Sequence, residues 1–390
     1  MPPALDIHAA IKENADAIIK NGLWRYRREI ESAQGAVIRI ENRETVNFCS
    51  NDYLGLANHP EIKKAFKTGI DQYGCGSGAS QMMCGYTSAH RALEEKIADF
   101  TSRQKAVLFS SGYMANLAIV GSLLGKSDVV VEDRLNHASM IDAARLTSAT
   151  FKRFLHANPE SLDEILKKTS GVKKLVMTDG VFSMDGDTAP LDRYIKICSD
   201  RNAWLMVDDA HGFGVFGDEG AGTLEMMGLT ANDVPILMAT FGKALGTFGA
   251  FVAGDEDVVE YLIQVSRTLI YTTAMPPALA VATTKSLDLL SEESWRRNKL
   301  EELVNYFRRC AQQAGLPLSP SATPIQPFII GDAKKAVQLS EQLLQKGICV
   351  QAIRPPTVPK GTSRLRITLT AAHEKSQIDR LLECLKQFHV

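Results

Sequence analysis

Short apolar runs recur through the middle of the chain: KAVLF before Ser110, DVVVED from Asp128, KLVMTD from Lys174, AWLMVDD from Ala203, PILMAT from Pro235 and GAFVAG from Gly249. Most are continuous rather than alternating, the pattern of strands covered on both faces. Stretches between them, such as MANLAIVGSLLG and LDRYIKICSD, have helical periodicity and supply those covers, so the pattern predicts an α/β protein built on a largely parallel sheet. Beyond Pro276 and Pro277 a long helical passage is followed by short strands around PFIIGD, GICVQAI and RLRITLT, with a helix in AKKAVQLSEQLLQKG. This predicts a smaller C-terminal α+β domain. The expected division is an N-terminal arm over 1–45, a large domain over 46–285 and a small domain over 286–390, with the helix Pro277–Leu290 leading from one domain to the other. No internal repeat or low-complexity linker interrupts the pattern.

One run imitates a membrane span, because AVLFSSGYMANLAIVGSLLG carries no charge between Lys105 and Lys126. Its polar middle, Ser110 to Tyr113 and Asn116, fits a strand, a tight turn and a buried helix better than a lipid-facing segment. The 390 residues are 45% hydrophobic and 23% charged, enough for a large core. A formal net charge of -1 provides no overall field for nucleic acid or an anionic membrane, so an anionic ligand must be caught locally. The seven cysteines are scattered, with no Cys-x-x-Cys pair and no zinc-site spacing, which fits a reducing cytosol and predicts no metal. The opening MPPALDIHAAIKENADAIIK has helical spacing and mixed charge, so export is not expected.

Candidate chemistry begins at MATFGKALGTFGA, Met238–Ala250, which holds one cation, Lys243, among apolar residues and glycines. An amine becomes nucleophilic near neutral pH where its protonated form is disfavoured by burial or by a second positive centre. A strand ending at Thr240 puts Lys243 at the carboxyl edge of the sheet, where α/β proteins bind ligands, and the glycines leave room for a group such as pyridoxal phosphate. Taken by itself, a loop lysine reaching solvent is the commoner outcome. Asp208, ending WLMVD, is placed to keep a pyridinium protonated, and His211 to hydrogen-bond a phenolic oxygen of the same ring. Gly112 and Tyr113 in SSGYMAN open a helix whose free N–H groups suit a phosphate. His137 in RLNHASM offers a planar ring for stacking, and Ser183 in DGVFSMDGD a hydroxyl. Each has an ordinary structural reading as a surface carboxylate, a capping histidine or a turn. Their shared position just past strands favours one ligand.

Two other motifs are weaker. HGFGVFG has G-x-G-x-x-G spacing but neither sits directly at a strand end nor opens a helix, so it reads as a connector. Gly242-Lys243 lacks the earlier glycine and the hydroxyl of a P-loop. The run WRYRRE, Trp24 to Glu29, reads as a solvated helix end, with nucleic-acid binding only weakly supported in a neutral chain. A nicotinamide dehydrogenase and a non-catalytic pyridoxal-phosphate protein stay open at this level.

The combination of SNDYLGL at Ser50, GSGAS at Gly76, SSGYMAN at Ser110, DRLNHASMIDA at Asp133, DGVFSMDGD at Asp179, VDDAHGFG at Val207, TFGKALG at Thr240 and RLRITLT at Arg364 resembles the α-oxoamine synthases. These are fold-type I pyridoxal-phosphate (PLP) enzymes, and the resemblance runs in their motif order from about Gly22 to nearly the C-terminus. It implies a mostly parallel seven-stranded sheet in a large PLP-binding domain, the cofactor pyridoxal 5′-phosphate, and a cytoplasmic homodimer. By the same resemblance Lys243 binds the cofactor covalently, Asp208 pairs with the pyridine nitrogen, His211 and Ser183 approach the ring oxygen, and His137 stacks on the ring. Gly112, Tyr113 and Thr240 are implied at the phosphate, with Thr272 or Thr273 reaching it from a neighbouring subunit. Asn51 and Arg366 match positions for the amino-acid carboxylate, and Arg25 and Thr357 positions for the acyl substrate. GYTSAHRALEE at Gly85 and AIRPPTVPKGTSRLRITLTAAH at Ala352 point to the member that joins L-alanine to a pimeloyl thioester on coenzyme A or acyl carrier protein. A sibling activity such as glycine C-acetyltransferase is the alternative, because Ala79 departs from the family pattern where amino-acid choice is tuned.

Overall fold

The computed structural model describes residues 7–387, so the opening MPPALD of the expected N-terminal arm and the last residues Phe388–Val390 lie outside it. The chain divides into two compact units, one of Asn51–Leu300 and one that joins the residues up to Ser50 with those from Glu301 onward. The stretch read from sequence as a separate arm therefore belongs with the C-terminal segment. The reason is strand pairing: β1 (Val37–Ile40) and β2 (Arg43–Asn47) form an antiparallel hairpin, and β2 pairs in parallel with Ile348–Cys349. Glu41 and Asn42 both take positive φ, as a tight two-residue hairpin turn requires. The expected connecting helix is Pro277–Glu292, which lies within the larger unit, and the chain passes between units inside the next helix, Trp295–Gln313. The helix Ile7–Lys20 ends before WRYRRE, so that run is irregular chain rather than a helix end.

The larger unit holds a seven-stranded sheet. Its strands are β3 (Lys105–Phe109), β4 (Val129–Asp133), β5 (Thr150–Phe154), β6 (Lys174–Asp179), β7 (Trp204–Asp208), β8 (Ile236–Thr240) and β9 (Ala250–Gly254), in the order β3-β9-β8-β7-β6-β4-β5. β9 runs antiparallel to both neighbours, and the remaining pairs are parallel. Val107, Phe109, Val130, Met177, Met206, Met238 and Val252 pack on one face with the helices Gly112–Leu123 and Ala138–Leu146. The residues between them, including Leu108, Val131, Val176, Val207 and Phe251, are buried as well. Burial on both faces is why these strands read as continuous apolar runs. β5 (TFKRF) escaped the pattern because it alternates along the sheet margin, where only β4 pairs with it. The uncharged run after Lys105 is β3 plus a buried helix. Among the described residues no helix is long and apolar enough to cross a membrane.

In the other unit β10 (Ile325–Gly331), β12 (Gln351–Ile353) and β13 (Ser363–Thr368) form an antiparallel sheet in the order β10-β13-β12, while β11 (Ile348–Cys349) extends the β1-β2 hairpin. Helices Ala333–Gln345 and Lys375–Lys386 complete the expected α+β unit.

Candidate active site

Five strands of the large sheet, β3, β4, β6, β7 and β8, end at one edge; Asp208 is the last residue of β7, and the segments that follow the strands carry Gly112, His137, Ser183, His211 and Lys243. Gly112, Tyr113, His137, Asp208, His211, Thr240 and Lys243 line a cavity of about 160 Å³ there, together with Ser139, Asp179, Ala210 and Met238. Ser183 stands half-buried in the loop after β6 and does not line that cavity. Thr272 and Thr273 lie in the turn before the helix Pro277–Glu292, where Thr273 bridges to Ser80, and they too are absent from the lining.

The helix Gly112–Leu123 is capped by the Ser111 hydroxyl, which accepts from Met114 N at 3.3 Å. The N–H groups of Gly112 and Tyr113 point out of its first turn without an intrahelical acceptor. A Cβ on Gly112 would stand 2.8 Å from Thr240 Cγ2, so only glycine lets this helix end meet β8 so closely. Thr240 Oγ1 in turn accepts from Lys243 Nζ at 3.3 Å. Backbone donors, a hydroxyl and a cation thus meet at one end of the cavity, a donor set suited to a phosphate.

Asp208 is buried, and its carboxylate accepts from Ala210 N at 3.1 Å and from Asn116 Nδ2 at 2.9 Å. Its cross-strand neighbour Asp179 is also buried and accepts the backbone N–H of His137 at 2.8 Å. Burial, reinforced by the negative charge of Asp208, pushes Asp179 well above the usual carboxylate range. Asp209 is pushed up to about 7 by burial, although the backbone N–H and hydroxyl of Thr223 pull it back at 2.7 and 2.8 Å. HGFGVFG acquires a role here, since a Cβ on Gly212 would come within 2.1 Å of the Asp209 carboxylate. The glycine is clearance for a buried acid rather than a dinucleotide loop.

His211 Nδ1 lies 2.6 Å from the hydroxyl of the fully buried Tyr53, which is also 3.4 Å from Asn51 Oδ1. Beyond β6, His156 sits between Asp133 at 3.0 Å and Asp187 at 2.8 Å, tying the Ser183 loop back to β4. Tyr53, Asn116, Ser139, Asp179 and His156 went unassigned in the sequence. Asn116 alone gave a signal, as a polar residue inside an apolar helix.

In the other unit Arg366 is buried on β13 and donates to Thr368 Oγ1 at 3.1 Å. Arg25 and Thr357 are exposed; Arg25 reaches Pro355 O at 3.5 Å, while Arg354 donates to Gly22 O at 2.6 Å and to Trp24 O at 3.3 Å. Arg354, also unassigned in the sequence, pins the segment bearing Arg25 to the turn bearing Thr357.

An amine, a buried carboxylate, the exposed imidazole of His137, the buried one of His211 and an anion cradle on one cavity match the functional groups of pyridoxal phosphate. The comparisons agree. The model of "Aminotransferase class I and II" matches residues 43–385. A protein of Nitrosococcus oceani named 8-amino-7-oxononanoate synthase is 55% identical over 365 residues, which cover 94% of this chain and 97% of its own. The chain belongs to the class I and II aminotransferase family, among the 8-amino-7-oxononanoate synthases. Solved structures extend the likeness. A serine palmitoyltransferase from S. paucimobilis with a bound PLP–myriocin aldimine superposes with a TM-score of 0.92 at 28% identity, covering 98% of each chain. The 8-amino-7-oxononanoate synthase of Francisella tularensis gives 0.78 at 32% identity, covering 88% of this chain and 98% of that one. Such neighbours share the fold-type I architecture expected from the motifs.

Proposed function

We propose that this chain catalyses the decarboxylative condensation of L-alanine with a pimeloyl thioester, on coenzyme A or acyl carrier protein, to 8-amino-7-oxononanoate, a step of biotin synthesis. The observation that carries this reading is the convergence of Lys243, Asp208 and His137 on the cavity beside the Gly112 cradle, in a chain 55% identical to a named synthase. The cofactor is pyridoxal 5′-phosphate, which supplies a sink for the electron pair left on the alanine α-carbon when its proton, and later its carboxylate, departs.

The chain's own residues do the rest. Lys243 Nζ would be the amine that holds the cofactor covalently, and it is placed to act as general base toward the alanine α-proton. Asp208 keeps the pyridine nitrogen protonated. His137 would stack on the cofactor ring, and His211, whose Nδ1 lies 2.6 Å from the Tyr53 hydroxyl, would with Ser183 serve the ring oxygen. Gly112, Tyr113 and Thr240 hold the phosphate. Asn51 and Arg366 bind the alanine carboxylate, a task suited to a guanidinium. Arg25 and Thr357 serve the acyl substrate. The active form is a cytoplasmic homodimer in which Thr272 or Thr273 reaches the partner's phosphate.

Borohydride reduction of the cofactor-loaded protein, followed by peptide mass analysis, tests the site: pyridoxyl mass on the peptide bearing Lys243 supports it, and mass on another lysine contradicts it. Sedimentation of the active species tests the dimer, which an active monomer would overturn.

A further inference from the structure

Asn116 occupies an unusual position. It is fully buried in the helix Gly112–Leu123, and its Nδ2 donates to Asp208 Oδ2 at 2.9 Å and to Ser139 Oγ at 2.8 Å. Its Oδ1 is buried with no hydrogen-bond partner. An orphaned buried carbonyl of this kind is unfavourable, so something must hold the amide in that orientation. Asp208 does so. A carboxylate can only accept, and turning the amide over would set Oδ1 against it.

The consequence passes to Ser139. Its hydroxyl oxygen accepts from Asn116, leaving its own proton to be donated, and His137 Nδ1 lies 2.7 Å away. Ser139 N–H also donates to that nitrogen at 3.3 Å, as His137 caps the helix Ala138–Leu146. Two donors on Nδ1 leave no room for a proton there.

We infer that Asn116 and Ser139 are positioning residues which, under the control of Asp208, hold His137 neutral with its single ring proton on Nε2. The charged groups around His137 are Asp208 on β7, Lys243 after β8, Asp142 on its own helix and Asp179, which takes its backbone N–H. Desolvation by the atoms around the ring lowers the imidazole below its ordinary range although the residue is exposed; Lys243 adds to this and the two carboxylates Asp208 and Asp142 oppose it. In the reading of the site given above, on which the catalytic value of the relay rests, a neutral imidazole lies against a protonated pyridine ring without charge repulsion. Its Nε2–H also stays a donor throughout turnover.

The tautomer can be measured without turnover. In full-length protein labelled with 15N-histidine, with and without pyridoxal phosphate, His137 is expected to show a protonated Nε2 and an unprotonated Nδ1 from about pH 6 to about pH 8, where free histidine titrates. Ser139→Ala and Asn116→Leu should each let the Nδ1–H form appear, while Ser139→Thr, which keeps the hydroxyl, should not. In the loaded enzyme Ser139→Ala should lower kcat about tenfold, within the cost of a slightly misplaced catalytic group, with KM for alanine nearly unchanged and activity restored in Ser139→Thr. An imidazolium or Nδ1–H signal in the wild type near neutral pH overturns the inference, as does retention of a pure Nε2–H form in both Ser139→Ala and Asn116→Leu. A pure Nε2–H signal in a protein that makes no product from alanine and a pimeloyl thioester supports the relay and counts against the assigned reaction instead.

Discussion

His156 offers a quantitative test of what holds the Ser183 loop. Its ring bridges Asp133, wholly buried at the end of β4, and Asp187, in the loop after β6, and packs edge-on against Phe182 at 4.4 Å. Burial would lower its pKa, but the hydrogen bonds to Asp133 and Asp187 outweigh burial and raise it to about 10 from 6.5. A displacement of that size corresponds to a ceiling of roughly 5 kcal/mol of folding stability. The side chain is 26% exposed, and solvent screening brings the expectation for His156→Gln to about 2–4 kcal/mol, in line with breaking a buried pair. The sign follows from the raised value. The contribution is complete below about pH 6.5 and is lost as pH climbs toward about 10, because the folded state then gives up a proton that the unfolded state has already released. Urea unfolding of wild type and His156→Gln at about pH 6 and about pH 9.5 should show a large gap at the lower pH and a small one at the higher. A gap that is constant or grows with pH would show that protonated His156 does not bind the two carboxylates more tightly in the folded state.

Other outcomes follow from the same geometry. Gly112→Ala, whose Cβ would meet Thr240 Cγ2 at 2.8 Å, should weaken pyridoxal phosphate binding roughly ten- to a hundredfold by equilibrium titration, at an overpacking cost of about 1–3 kcal/mol; unchanged affinity would remove the cradle from the account. Tyr53→Phe, which deletes the 2.6 Å partner of His211, should lower kcat about fivefold with about 1 kcal/mol loss of stability, and a fully active variant would show that His211 needs no support from Tyr53. Cys49 Sγ lies 3.5 Å from Cys349 Sγ; the Cys49 hydrogen bond and Arg28 lower the Cys349 pKa, while Cys49 is raised. Hydrogen peroxide should therefore join these two thiols with loss of two hydrogens, readable by peptide mass, and free alkylation of both after peroxide would contradict it.

Much of the large sheet was legible because two-sided burial writes each strand as an uninterrupted apolar run. β5 and the β1-β2 hairpin were not, since a marginal strand and a half-exposed hairpin alternate or are too short to stand out. The association of the N-terminal stretch with the C-terminal segment rests on the pairing of Val46 with Ile348, far apart in sequence, which no local pattern encodes. At the site, residues just past strand ends could be named one by one, whereas Tyr53, Ser139 and His156 act through partners that are distant or carry no local signal. Asn116 differs: a buried amide in an apolar helix was visible as an interruption, and its reason lies in Asp208, on a strand that follows much later in the chain.

Purified protein loaded with pyridoxal phosphate should be incubated separately with alanine, glycine or serine and with pimeloyl, acetyl or palmitoyl thioesters, and each product identified by mass. Alanine with a pimeloyl thioester should yield 8-amino-7-oxononanoate and carbon dioxide, and Lys243→Ala should yield neither. Product from another pair in preference to this one, or undiminished product from Lys243→Ala, would contradict the account.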